Sequence, residues 1–153
     1  MKYISHRGNI NGKIPERENT FDYIMEALEK GYDVEVDIWK NDEKLSLGHD
    51  APVCMIKDMN MFLPFSKRLW FHCKNTEVLE KLHKIADFIY FWHQNDCYTI
   101  TSNGYFWTFP GMESLKNSII CLPEIGVYTK EMLVNCQGVC SDYIEKYRDI
   151  IKQ

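Results

Sequence analysis

The sequence predicts an α/β chain, and two observations carry that reading. Apolar periodicity switches between two and about 3.6 residues over positions 2–89, and the segments it marks alternate strand, helix, strand. The 153 residues are 45% hydrophobic with 21 aromatics, enough for a real core, and no repeat, low-complexity tract or linker-like stretch divides them. One domain over residues 1–153 is expected.

Residues 2–7 alternate as a first strand, followed by a polar loop containing glycine and proline from Gly8 to Asn19. Phe21, Ile24, Met25 and Leu28 recur at helical spacing. Asn19 or Thr20 offers an N-cap oxygen, and Gly31 can take the left-handed conformation that ends a helix. Residues 33–40 revert to period two, with Val34, Val36 and Ile38 facing one way and Glu35, Asp37 and Trp39 the other. Asn41–Lys44 is a turn cluster, Leu45–His49 a hairpin arm, and residues 51–66 are irregular. Leu69, Phe71 and Cys73 mark another strand. It leads into Asn75-Thr76 as the cap of a second helix with Val78, Leu79, Leu82, Ile85, Ala86 and Ile89 on its apolar face.

Beyond residue 88 the alternation loosens. Nine of the 22 residues from Phe88 to Phe109 are aromatic, broken by Asn95-Asp96 and Ser102-Asn103-Gly104, which predicts two or more short strands joined by turns. Ser118–Leu122 and Gly138–Ser141 are further strands, and Tyr143–Lys152 is a closing helix, the third in all.

Charge and composition exclude several classes of function. With 18 Lys and Arg against 22 Asp and Glu, the net charge of −4 supplies no basic field for nucleic acid or an anionic membrane. MKYISHRG lacks a signal peptide's apolar region, and no apolar run approaches membrane-spanning length, so a cytoplasmic protein without membrane insertion is expected. Six cysteines without CxxC spacing argue against a zinc module and a disulfide framework.

Glu35 and Asp37, two apart on a strand, put their carboxylates on one face with Cβ atoms roughly 6–7 Å apart. At an effective dielectric of about 20 they repel by roughly 2–3 kcal/mol, so an inward-facing pair needs Arg, Lys or a divalent metal. On a wet strand face the pair needs nothing. His6-Arg7-Gly8 and His49-Asp50 close a strand and a hairpin arm, and in a parallel strand–helix architecture such C-terminal strand ends are where ligands bind. Two histidines there can divide a phosphodiester displacement, one removing a proton from the attacking oxygen and the other protonating the leaving oxygen. Arg7 offers a planar fork for phosphate, and Gly8 a close backbone approach. His93, Trp107 and Glu124 lie near strand ends and read as packing or surface residues that could shape a pocket; His83 reads as structural, and Cys136 and Cys140 have no ligand partners nearby.

In order, His6-Arg7-Gly8, Glu18-Asn19-Thr20, the Ala27-to-Gly31 helix end, Glu35-x-Asp37 and Gly48-His49-Asp50 resemble the glycerophosphodiester phosphodiesterase family, within the phosphatidylinositol phospholipase C-like superfamily. The resemblance is dense over residues 4–50. It extends weakly to Phe71-His72-Cys73-Lys74 and to Gly138-Val139-Cys140-Ser141-Asp142, which looks like the family's last-strand signature. It implies a (β/α) barrel with His6 and His49 as acid and base, Arg7 near the phosphate, and magnesium or calcium at Glu35 and Asp37.

The family's third ligand is an acid two residues before a lysine; here His72 precedes Lys74. If His72 is a ligand, manganese or another imidazole-tolerant metal such as iron or zinc is favoured over magnesium and calcium. Otherwise water or Glu124 takes the third place, or the site no longer holds metal. Lys74 stabilises phosphate charge as a flexible cation.

A full barrel needs about 250 residues, and this chain has about 19 per strand–helix unit, so the expected fold is a reduced or incomplete TIM-like (β/α) barrel with several helices missing. Turns in place of second-half helices would leave six to eight strands and an exposed aromatic flank, hence a homodimer.

The resulting expectation is a metal-dependent phosphodiesterase hydrolysing a small glycerophosphodiester-type substrate. The alternatives are a lyase-type enzyme releasing a cyclic phosphate and a non-catalytic phosphate-binding descendant. Specificity is expected from residues 9–19, 51–66 and 93–112.

Overall fold

The protein's computed structural model describes residues 1–85 and 87–153. Strand β1 (Lys2–His6) leads through α1 (Phe21–Glu29) to β2 (Asp33–Asn41), which folds back as an antiparallel arm, β3 (Lys44–Leu47) and β4 (Cys54–Ile56). A 3₁₀ segment, Met59–Phe65, returns the chain to β5 (Leu69–Cys73), α2 (Thr76–His83) and β6 (Ile89–Trp92). Then come β7 (Tyr98–Ile100), β8 (Phe106–Thr108), β9 (Ser118–Cys121), α3 (Lys130–Asn135), β10 (Gly138–Ser141) and α4 (Ile144–Lys152).

The strands β6-β5-β2-β1-β10-β9-β8 pair in that order, all parallel, and β7 lies antiparallel beside β8. The sheet curls until the β7 end meets β6. Ser102 N–H donates to the Tyr90 carbonyl at 2.8 Å, Tyr90 N–H to the Ser102 hydroxyl at 3.0 Å, and the Thr99 hydroxyl to the Trp92 carbonyl at 2.8 Å. These bonds bridge a gap that no strand ladder closes among the described residues. The fold is an incomplete TIM-like barrel.

Two cores follow from the period of two in the strands. Facing outward, Val34, Val36, Ile38, Leu69 and Phe71 pack with Ile24, Ala27 and Leu28 of α1 and Val78 and Leu82 of α2. Facing inward, Ile4, Trp70, Ile89, Phe91, Trp107, Ile119, Cys121 and Cys140 fill the barrel. Truncating one of the buried Leu, Ile, Phe or Trp side chains to alanine costs about 2–5 kcal/mol.

Several expectations are corrected. The second helix ends at His83, so Ile85 lies outside it, and Ile89 opens β6, where it packs inside the barrel; Ala86 lies outside the described residues. Residues 51–66 contain β4 and the 3₁₀ turn. A fourth α-helix, α3, has six residues, too few to set up a legible apolar stripe. Thr20 stands at the N-cap of α1 but makes no capping bond: its hydroxyl donates to the Arg17 carbonyl, and Asn19 is engaged by Asp37.

The aromatic flank is the largest correction, because none of the nine aromatics between Phe88 and Phe109 is exposed. Phe91 stacks on Trp107 at 4.3 Å across the gap, and Trp107 and Tyr105 lie 6.1 and 5.6 Å from Trp70. Where helices are absent, the sheet buries its aromatics against the barrel's own contents, and the premise for a homodimer goes with the exposed flank. Among the described residues, no helix is long and apolar enough to cross a membrane.

Candidate active site

The C-terminal ends of the parallel strands open on a cavity of ≈ 460 Å³ lined by His6, Arg7, Glu35, His49, His72 and Lys74. Register dictates this gathering. His6 is opposite Glu35 and Asp37 is opposite His72, so β1, β2 and β5 present their inward side chains in adjoining rows. Beyond Ile38, β2 leaves the barrel with β3, and the arm returns at Gly48, whose N–H donates to the Asp37 carbonyl at 3.1 Å. That bond brings His49 to the rim. Gly48 has φ 143°, and an added Cβ would sit 2.1 Å from the Ala51 carbonyl oxygen, so the turn admits no side chain. Arg7 is itself left-handed at φ 55°, a strained conformation for a non-glycine residue, with its N–H on the Glu35 carbonyl at 3.0 Å.

Both histidines are backed by an aspartate. His6 Nδ1 lies 2.7 Å from Asp142 Oδ1, and since an ionised carboxylate only accepts, Nδ1 carries the hydrogen and Nε2 is left facing Glu35 Oε2 at 3.8 Å. Burial pushes the Asp142 carboxyl up, but the His6 bond and charge, the Asn9 amide at 2.9 Å and Lys13 outweigh it and hold it below its usual range. His49 Nδ1 is likewise 2.7 Å from Asp50 Oδ1, but this pair stands in solvent, with side chains 40% and 95% exposed. Partial burial lowers the His49 pKa below its ordinary value.

Beneath the histidines the two carboxylates are almost fully buried, Glu35 at 2% and Asp37 at 0% exposure, which removes the reading of a wet strand face. Asp37 is held by Arg7 Nε at 2.9 Å, the Asn19 amide at 3.0 Å and Lys74 Nζ at 3.5 Å. Burial raises its pKa, yet His72, Arg7 and Lys74 together keep it well below the usual carboxylate range. Glu35 goes the other way: burial, then the Asp37 charge, raises it well above the ordinary value.

His72 explains how a third ligand can be an imidazole. Its Nε2 is 2.7 Å from the His93 carbonyl, which can only accept, so Nε2 carries the hydrogen. Nδ1 then faces Asp37 Oδ1 at 3.1 Å and Glu35 Oε1 at 3.7 Å. A nitrogen lone pair against two carboxylates is stable only with a proton or a cation among them. Glu35, Asp37 and His72 can offer three ligand atoms within 4.8 Å of one another, and Glu35 Oε2 and Asp37 Oδ1 are buried without a hydrogen-bond partner. Two buried carboxylate oxygens without hydrogen bonds, one of them within ion-pair reach of Lys74, and a pre-oriented imidazole fit a divalent cation.

The sequence singled out neither Asp142 nor Asn9 as a site residue. Asn9 donates to both Asp142 Oδ1 and Glu18 Oε1, and Glu18 in turn holds Arg7. The local signal available for Asp142 is its place at the end of Gly138-Val139-Cys140-Ser141-Asp142, directly after β10. Glu124 is not a ligand; it receives the Ser141 hydroxyl and the Asp142 N–H, both at 2.9 Å. His93 and Trp107 line the cavity, whereas His83 pairs with the Tyr90 hydroxyl on another face. Of the three segments expected to set specificity, residues 93–112 line the cavity, and 9–19 and 51–66 do not.

No protein-family model and no curated protein matches the sequence. The structure is similar to the crystal structure of a glycerophosphodiester phosphodiesterase from Agrobacterium tumefaciens str. C58, at 14% identity and a TM-score of 0.54 over 99% of each chain. The chain has the fold of that phosphodiesterase.

Proposed function

We propose that the protein is a metal-dependent phosphodiesterase that hydrolyses small glycerophosphodiester-type substrates. The observation that carries this reading is the meeting of two aspartate-backed histidines, two cationic side chains and a three-residue ligand group at one cavity. The fold shared with a solved phosphodiesterase agrees with it.

Glu35, Asp37 and His72 would hold the cation, and the imidazole favours manganese or a similarly tolerant metal over magnesium or calcium. When bound, the cation neutralises charge that develops on the phosphoryl oxygens. The side chains do the rest. Arg7 and Lys74 orient and neutralise the phosphodiester anion. His6 Nε2, with Nδ1–H committed to Asp142, takes the proton from water as its oxygen attacks phosphorus. His49, at the open rim where an alcohol can depart, donates its proton to the leaving oxygen as the P–O bond breaks. The products are a phosphomonoester and a free alcohol, and the pair supplies about 10²- to 10⁴-fold acceleration. Attack by a substrate hydroxyl in place of water would use the same groups and give a cyclic phosphate. A reducing, cytoplasmic setting suits six free cysteines.

The test is turnover of glycerophosphodiesters by purified protein with manganese, magnesium or calcium, followed by phosphorus NMR. A monoester product with manganese, lost in His6→Ala and His49→Ala, is expected. Tight binding without turnover under every metal would make the protein a phosphate-binding module instead, and a persistent cyclic phosphate would make it a lyase.

A further inference from the structure

One side of the cavity takes no part in the phosphoryl chemistry proposed above. Away from the polar side chains of β1, β2 and β5, the lining is Trp107, Phe109 and Pro110 at the end of β8 and Cys121 and Leu122 at the end of β9, with Trp39 of β2 at the rim beside the arm. Polar atoms on this side are largely spent. Trp39 Nε1 donates to the Gly48 carbonyl at 2.6 Å, and His93 Nε2 to the Asp96 carbonyl at 2.6 Å. The Trp107 indole and the exposed Gln94 remain. A polyol seated here would leave hydroxyl groups unpaired as they lost water, which costs about 1–3 kcal/mol for each buried group.

Leu122 is the second observation. It has φ 46°, the left-handed region where a bulky side chain is an outlier and glycine carries no steric cost. Its N–H is fixed on the Cys140 carbonyl at 2.7 Å, and its side chain packs against the barrel's inner core while lining the cavity. Strain retained at the mouth of a site points to function at that residue. Phe109 is set by its ring edge-to-face with His93 at 5.5 Å, next to the carbonyl that orients His72.

We infer that this wall is a specificity surface for an apolar ester group, so that the favoured substrates are phosphodiesters carrying one alkyl or aryl-alkyl alcohol. The inference rests on the phosphodiesterase reading for its anchor: the phosphate sits against Arg7 and Lys74, and the apolar group lies against Phe109, Leu122 and Trp107. A cavity of ≈ 460 Å³ has room for a phosphate and a ring or a short chain.

The experiment compares three diesters of glycerol phosphate whose second alcohol is glycerol, benzyl alcohol or hexanol; glycerol is the most acidic of the three, so intrinsic leaving ability works against the expected order. The benzyl and hexyl diesters should exceed the glyceryl diester by at least about tenfold in kcat/KM. Leu122→Asn and Phe109→Ser should bring that ratio towards one, with circular dichroism reporting the fold. A wall shaped for flat rings favours benzyl over hexyl, and one shaped for chains favours the reverse. A glyceryl preference, or a ratio unmoved in folded variants, would overturn the inference. If no diester is turned over under any metal, the enzymatic reading fails by itself. The wall is then tested by calorimetry, where benzyl phosphate should bind about tenfold tighter than glycerol phosphate and equal affinity would sink it.

Discussion

The two aspartate-backed histidines share one local geometry and differ in everything around it. His6 and Asp142 are joined at 2.7 Å across 136 residues of sequence, both almost completely buried, with Asn9 and Lys13 on the same carboxylate. His49 and Asp50 are sequence neighbours at the same 2.7 Å, out on a hairpin arm in solvent. The floor pair is fixed by β1 and β10, so its tautomer and aim are set before substrate arrives. The rim pair is tied to the barrel through the backbone of Gly48, to Asp37 and Trp39, and its side chains meet solvent. Preorganised groups in a dry site act more strongly than the same groups in water.

Substitutions can break this contrast, and the histidines themselves should give the largest effects. His6→Ala should lower kcat by about 10³-fold and His49→Ala by about 10²-fold, because bulk water can stand in for a proton donor at the rim but not on the floor. Equal losses would erase the distinction. Next come the supporting aspartates. Asp142→Asn should cost about 10²-fold in kcat by upsetting the His6 tautomer, whereas Asp50→Asn, whose carboxyl is 95% exposed, should cost less than about threefold.

His72→Asp sharpens the comparison below the histidines. It makes the ligand group all-oxygen and should shift preference from manganese towards magnesium by about 10- to 100-fold in relative affinity, read by calorimetry.

Two pH effects are smaller. Asp142 has a native pKa below its unfolded value of about 3.9, so its contribution to stability is present above that pH and is lost as pH falls through the native value. Asp142→Asn should therefore show a flatter fall in urea midpoint below about pH 4 than the wild type. The His49 pKa is depressed, so the limb of the activity profile that belongs to it should lie below the ordinary imidazole value of about 6.5 and disappear in His49→Ala.

Local chemistry was legible in the sequence wherever both partners sat on one element. Period two put Glu35 and Asp37 on one face, and the motif placed His49 at the end of the arm, while its bond to Asp50 is seen only in the structure. Asp142 was not, because its partner lies at the other end of the chain and only the parallel pairing of β1 with β10 brings them together. The barrel's first half was legible because α1, α2 and their strands carry distinct periods. The aromatic run was misjudged for a physical reason: composition says that a segment has much to bury but not against what. With no helix pattern to cover it, composition alone predicts solvent exposure. The Phe91–Trp107 stack shows the other solution, in which strands joined by turns bury their rings within the curl of the sheet.

The measurement that bears most directly on the central claim is manganese binding followed by electron paramagnetic resonance in chelator-treated protein. One site per chain is predicted, abolished in the Glu35→Gln, Asp37→Asn double variant, weakened about 10- to 100-fold in His72→Ala, and carrying nitrogen coupling that His72→Ala removes. Absence of binding, or binding indifferent to these substitutions, would contradict the assignment of this cluster as the metal centre.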